Sequence, residues 1–123
     1  MDRVPRIAIV DDDQSCRMAL ASLVRSLGHE PRLFASAEAF LATFDVETVD
    51  CLICDVQMPG MDGLALQRAL ASEGRSMPII FITAYPREPA RARAMAAGAL
   101  CFLGKPYDAH IIIEWIERAV TKG

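Results

Sequence analysis

Lysine is nearly missing from this sequence: of 13 basic residues, only Lys105 and Lys122 are lysines. Arginine carries the remaining positive charge, and the split reads first as a compositional habit of an alanine-rich chain. It also makes any lysine kept in an apolar setting a residue to account for. Strong charge of either sign is missing too, with 16 acids against 13 bases and a net charge of −3. That balance argues against a nucleic-acid coat or a membrane-surface role. No uncharged run approaches the roughly 20 residues a bilayer-spanning helix needs. The opening MDRVPRIAIV has no signal-peptide-like apolar core, so a cytoplasmic protein with no membrane association is expected. Linkers, low-complexity tracts and solenoid repeats are absent. With 53% apolar and 24% charged residues, disorder is excluded and residues 1–123 are expected to form a single domain.

Cys16, Cys51, Cys54 and Cys101 sit in apolar runs without a secretory context, and read as reduced core residues. Cys51 and Cys54 form a C-x-x-C, but inside the strand-like run CLICDV rather than at a helix start, where a redox motif belongs.

What recurs is a short apolar run followed by an amphipathic helix. The runs are IAIV from Ile7, PRLF from Pro31, CLICD from Cys51, IIFIT from Ile79 and CFL from Cys101. This spacing is too long for hairpins and fits βα units. Most of the runs lack polar alternation, as strands covered on both faces do. Leu20, Leu23, Val24 and Leu27 define the first helix, stopped by Gly28. Phe40, Leu41 and Phe44 define the second, with Ser36 as its cap. Leu66, Ala69 and Leu70 mark a third that ends near Gly74. A fourth, from about Pro89 to Ala97, is mostly Ala and Arg and is expected to be the loosest. Pro86 and Pro89 should stiffen or shorten its start. The fifth carries Ile112, Trp115, Ile116 and Ala119, and Ile111 and Ile113 widen its apolar stripe. That helix is either deeply packed or carries a partner face. Five βα units imply an α/β, flavodoxin-like fold: a five-stranded parallel sheet, order 2-1-3-4-5, with helices on both faces. In such sheets the site lies beyond the carboxyl ends of the strands.

Those ends are polar. Strand one runs into Asp11, Asp12 and Asp13, strand three ends on Asp55, strand four on Thr83, and Lys105 follows strand five. Each alone could be a cap or a turn residue; together they would meet at one edge. Converging carboxylates repel by several kcal/mol, or about 4 kcal/mol for a pair 4 Å apart at an effective dielectric near 20. A hard divalent cation such as Mg²⁺ relieves this. A carboxylate surrounded by Mg²⁺, a lysine and a hydroxyl can accept a phosphoryl group.

The stretches IVDDD, LICDVQMPGMDG, FITA, AGALCF and GKP, in this order and spacing, make the whole chain resemble a response-regulator receiver domain of two-component signalling. The resemblance implies Asp55 as acceptor of a phosphoryl group from a sensor histidine kinase or phosphotransfer protein. It implies Asp12 and Asp55 as direct Mg²⁺ ligands, the Gln57 carbonyl as a third, and Asp11 holding a metal-bound water. Thr83 and Lys105 would contact the phosphoryl oxygens, and Lys105–Pro106 resembles the family's cis peptide. Self-catalysed phosphoryl transfer and autodephosphorylation would be the only chemistry; such a protein is a regulator rather than an enzyme. Asp13 fits no family role and reads as the cap of the first helix. Pro59, Gly60 and Gly63 build a sharp turn, and Met58 and Met61 read as packing.

The family switch couples Thr83 to the residue three before the lysine, here Phe102, similar to nitrogen-fixation-type regulators; the plainer reading is a core phenylalanine. Switching would rearrange the fourth helix, fifth strand and fifth helix, a face open to homodimerisation. DNA would be reached only through an output domain absent from this chain. Gln57 and Tyr85 flank the pocket mouth by resemblance and would tune loss of the phosphoryl group. Two other readings are weighed. Asp11-Asp12-Asp13-Gln14-Ser15 resembles the D-x-D-x-S nucleophile motif of haloacid-dehalogenase-type phosphatases, but the chain is short for that fold and lacks its later paired acids. A pseudo-receiver that never takes phosphate fits poorly with the complete pocket set. Lys105 is therefore the lysine kept by chemistry, because a compact point charge suits a small pocket better than a wide guanidinium fork. Lys122 is a bystander.

Overall fold

The computed structural model describes residues 4–43 and 49–121. Phe44, expected on the second helix, and Lys122 lie outside the described residues. The chain alternates strand and helix throughout: β1 (Arg6–Val10), α1 (Gln14–Ser26), β2 (Glu30–Phe34), α2 (Ala37–Ala42), β3 (Cys51–Asp55), α3 (Gly63–Ser72), β4 (Ile79–Thr83), α4 (Glu88–Ala96), β5 (Cys101–Gly104) and α5 (Ala109–Thr121). All strand pairs are parallel, in the order β2-β1-β3-β4-β5. This is the expected topology.

Alternation along each strand divides the core in two. Ile7, Ile9, Ile53, Ile80 and Ile82 face α1 and α5, meeting Leu20, Val24, Ile112 and Ile116. Ala8, Val10, Leu52 and Phe81 face the other way, against Phe40, Leu66, Leu70 and Ala94 of α2, α3 and α4. Every residue of β3 and β4 is buried, which is why those runs carry no polar alternation. The same geometry disposes of the C-x-x-C. Cys51 belongs to one face and Cys54 to the other, and every cysteine is a free thiol. Burial pushes the Cys51 and Cys101 thiols up to about 12. Cys16 departs from the core reading: it is only half-buried, on the first turn of α1.

The caps follow the sequence closely. The Asp13 carboxylate accepts the Cys16 N–H at 3.2 Å, and Ser36 Oγ accepts the Ala39 N–H at 3.0 Å. Gly28 takes a φ of +83°, letting His29 N–H reach back to Val24 O at 3.2 Å and close α1. α4 starts at Glu88, one residue before the expected position, with Pro89 in its first turn. It buries only Ala94, and the Arg87 side chain does not cap its first turn. On α5, Ile112, Ile116 and Ala119 enter the core, Trp115 is half-buried beneath the Arg118 guanidinium, and Ile111 is exposed.

Candidate functional site

Parallel strands in register bring their carboxyl ends to one rim. Asp55 pairs with Ile82, and Thr83 with Gly104, so Asp11, Asp55, Thr83 and Lys105 stand at that edge. Asp11 is fully buried directly after β1, its backbone N–H bonded to Phe34 O at 3.1 Å. Its Oδ1 accepts the Asp13 N–H at 2.9 Å, and its carbonyl accepts Arg17 Nη1 at 2.7 Å. Asp55 is buried as the last residue of β3; its Oδ1 accepts the Gln57 N–H at 3.1 Å. Lys105 Nζ donates to Asp55 Oδ2 at 3.2 Å and to Asp11 Oδ2 at 3.3 Å. One ammonium thus bridges two buried carboxylates. Asp12 is exposed, yet carboxylate oxygens of Asp11, Asp12 and Asp55 all lie within 4.8 Å of one another.

The electrostatics show a charge deficit. Burial raises the Asp55 carboxyl above the usual carboxylate range, the neighbouring Asp11 raises it further, and Lys105 offsets only part of this. Burial pulls the Lys105 ammonium down, but the neighbouring Cys16 sulfur and the two carboxylates outweigh that and hold it above the ordinary lysine range. Three carboxylates against one ammonium leave the rim with an excess of two negative charges. An all-oxygen, acid-rich donor set of this kind fits a hard divalent cation such as Mg²⁺.

Thr83 is fully buried, and its Oγ1 accepts the Tyr85 N–H at 3.1 Å. Lys105 N–H donates to Thr83 O at 2.8 Å, and the Lys105–Pro106 peptide is cis. Gln57 is exposed, as is the Tyr85 ring side chain, at 60%. Phe102 is half-buried against Phe81, ring centroids 6.3 Å apart. Phe102 and Gly104 are the register partners of Phe81 and Thr83, so Phe102 and Thr83 share a sheet face.

The loop from β3 to α3 explains its glycines. A Cβ on Gly63 would lie 2.5 Å from Asp55 O, so only glycine lets α3 start this close to the acidic residue. Gly60 has a φ of +74°, in the left-handed region. Met58 is buried and Met61 packs, partly buried, against the same core cluster, as expected. Two contacts escaped the sequence reading. Asp62 caps α3 by accepting the Ala65 N–H at 2.8 Å; an Asp directly before the run GLAL was a readable signal. Glu38 of α2 accepts the Met61 N–H at 3.0 Å across 23 residues of chain, a contact with no local signal.

The family model of the response regulator receiver domain matches residues 7–117. Response regulator protein TmoT of Ectopseudomonas mendocina is 43% identical over 119 residues, which cover 97% of this chain and 54% of that protein. Transcriptional regulatory protein FixJ of Bradyrhizobium diazoefficiens is 34% identical over 116 residues, covering 94% of this chain and 57% of that protein. The chain therefore spans about half the length of these curated relatives. Among solved structures, FixJ-N superposes with a TM-score of 0.87 at 38% identity, covering 98% of this chain and 96% of that one. Response regulator StyR gives 0.90 at 40% identity, covering 98% and 61%.

Proposed function

The chain belongs to the response regulator receiver family of two-component signalling, and from that premise we propose that residues 1–123 act as one receiver domain that takes a phosphoryl group onto Asp55. The observation that carries this reading is the Lys105 ammonium bridging Asp11 and Asp55 inside a cluster of three carboxylates. The donor is a phospho-histidine of a sensor kinase or phosphotransfer protein. An Asp55 carboxylate oxygen attacks phosphorus in line, the phosphorus–nitrogen bond breaks, and the imidazole leaves with the electron pair. Lys105 meets the negative charge on the transferring oxygens. The Thr83 hydroxyl accepts the Tyr85 N–H, and its own proton is free to go to a phosphoryl oxygen. Asp12, Asp55 and the Gln57 carbonyl would hold Mg²⁺, with Asp11 on a metal-bound water. When bound, that ion supplies the positive charge that the rim lacks.

A new phosphoryl group adds charge and acceptor oxygens beside Thr83. Thr83 turns towards it and vacates space on the sheet face it shares with Phe102. The surface of α4, β5 and α5 then changes as a two-state element and governs a partner, an output domain or a second copy of the chain. The thin packing of α4 supports this assignment. Membership of the receiver family supports a cytoplasmic location, which we propose for the domain; among the described residues no helix is long and apolar enough to cross a membrane. The D-x-D-x-S alternative draws no support, since Asp13 is committed to the cap of α1.

Incubation with Mg²⁺ and acetyl phosphate, followed by mass mapping, tests the proposal. Label is expected on Asp55 and lost in Asp55→Ala. Label on Asp11 would instead indicate the phosphatase chemistry, and no label at any Mg²⁺ concentration a pseudo-receiver.

A further inference from the structure

The loop from β3 to α3 carries Gln57 and is pinned at both ends by its own neighbourhood. At its start the Gln57 N–H is held by Asp55, and the Met58 side chain is buried. At its end Gly63 N–H bonds to Val56 O at 2.8 Å, and Asp62 caps α3. Its middle, Pro59 to Met61, is held from a different part of the chain. Glu38 Oε2 accepts the Met61 N–H at 3.0 Å, and the same oxygen lies 2.7 Å from where a Cβ on Gly60 would stand. The carboxylate therefore occupies the hollow of the turn. The bond to the Met61 N–H, with a smaller contribution from the backbone of Glu38 itself, keeps the Glu38 carboxyl below its ordinary range.

The helix that carries Glu38 is firmly seated. Ser36 caps it, and Phe40 is buried edge-on to Phe34 with ring centroids 5.1 Å apart. The Arg75 guanidinium covers the Phe40 ring at 5.4 Å and donates to Thr43 O at 3.1 Å. Glu38 is thus a fixed bracket, reaching from a helix with no part in the acidic cluster to the loop that shapes it.

We propose that Glu38 is a positioning residue for the cation site: by clamping Gly60 and Met61 it fixes the loop in the conformation that presents the Gln57 carbonyl to a divalent cation. This rests on the metal reading given above. The physical reason is preorganisation. A carbonyl ligand on an unclamped loop must be ordered when the ion binds, and that ordering weakens affinity. Glu38 is outside the cluster of Asp11, Asp12 and Asp55, so its effect on that cluster would travel through the loop backbone.

The test uses the full chain with Glu38→Ala and Glu38→Gln, the latter keeping an oxygen that can accept the Met61 N–H. Without metal, the Met61 amide should exchange with solvent about tenfold faster in Glu38→Ala, as loss of one hydrogen bond predicts. Calorimetric titration with MgCl₂ should show affinity weakened by about tenfold, the lower end of what losing an outer-shell support costs. Glu38→Gln should restore both. Unchanged Mg²⁺ affinity in Glu38→Ala, with or without faster exchange, overturns the proposal and leaves Glu38 a structural contact only. Wild-type protein whose Mg²⁺ affinity is indifferent to Asp12→Asn would overturn the metal reading itself, and the proposal with it.

Discussion

Two helices start at the candidate pocket, α1 just after Asp11–Asp13 and α4 just after Thr83–Tyr85, and they are held very differently. α1 runs for 13 residues, is capped by Asp13 and buries Leu20, Ala21 and Val24. α4 runs for 9 residues, has no side-chain cap and buries only Ala94. A side-chain tie to the body comes from α3, where Gln67 Nε2 donates to Ala94 O at 3.1 Å. The contrast extends to the loops. The acidic side is fastened by Asp55, Asp62, Gly63 and Glu38, while on the α4 side, among the described residues, Thr83 is tied by the Tyr85 N–H on its Oγ1 and the Lys105 N–H on its carbonyl, and no distant helix reaches into the loop with a side chain. Charges that repel must be held in place before a ligand arrives, which needs a stiff frame. A surface that answers the ligand must cost little to move, and low local burial provides that.

The largest effect expected from breaking the comparison is on the stiff side. Gly63→Ala places a methyl 2.5 Å from Asp55 O, 3.0 Å from Val56 Cα and 3.1 Å from the Phe81 ring. Two of those neighbours are backbone and the third is in the core, so none yields cheaply. Urea unfolding should show a loss of about 3 kcal/mol. A loss below about 0.5 kcal/mol, the range of an ordinary surface change, would mean that the acidic side is as compliant as α4.

The loose side should respond in the opposite direction. Arg87→Ser gives α4 the cap it lacks, and stability should rise by about 0.5–1 kcal/mol. Amide exchange in the first turn of α4 should slow in step, while α1 is unaffected. Slowing in α1 as well would mean that the two helices open together and that their difference in packing has no dynamic meaning.

The two sides also differ in how much the sequence disclosed. The strands were readable because parallel β3 and β4 are buried on both faces and so leave uncharged runs. The residues brought to the rim were readable for a related reason: polar groups that end such runs stand out. The cap at Asp13 and the stop at Gly28 are local chemistry and were equally visible. Glu38 was not, because its partner lies 23 residues away and an acid in the first turn of a helix already has a reason to be there. The half-exposure of Cys16 was hidden likewise, since only the fold places that thiol beside Lys105. Local rules recover elements and their ends; contacts between loops and distant helices need the topology first.

The smallest expected effect falls on the side chain that stands over the loose side. Tyr85 is bonded to Thr83 through its backbone N–H, so Tyr85→Ala keeps that bond and removes only the exposed ring. The comparison Gln57→Ala removes a side chain on the stiff side while leaving its N–H on Asp55. If the ring screens a phosphoryl group on Asp55 from water, Tyr85→Ala should shorten the phosphorylated lifetime about threefold, equivalent to about 0.6 kcal/mol of barrier. Decay of the Asp55 label after removal of acetyl phosphate measures it. A lifetime unchanged in Tyr85→Ala but altered in Gln57→Ala would place control of water on the stiff side. The loose side would then govern only what the phosphoryl group signals, and not how long it lasts.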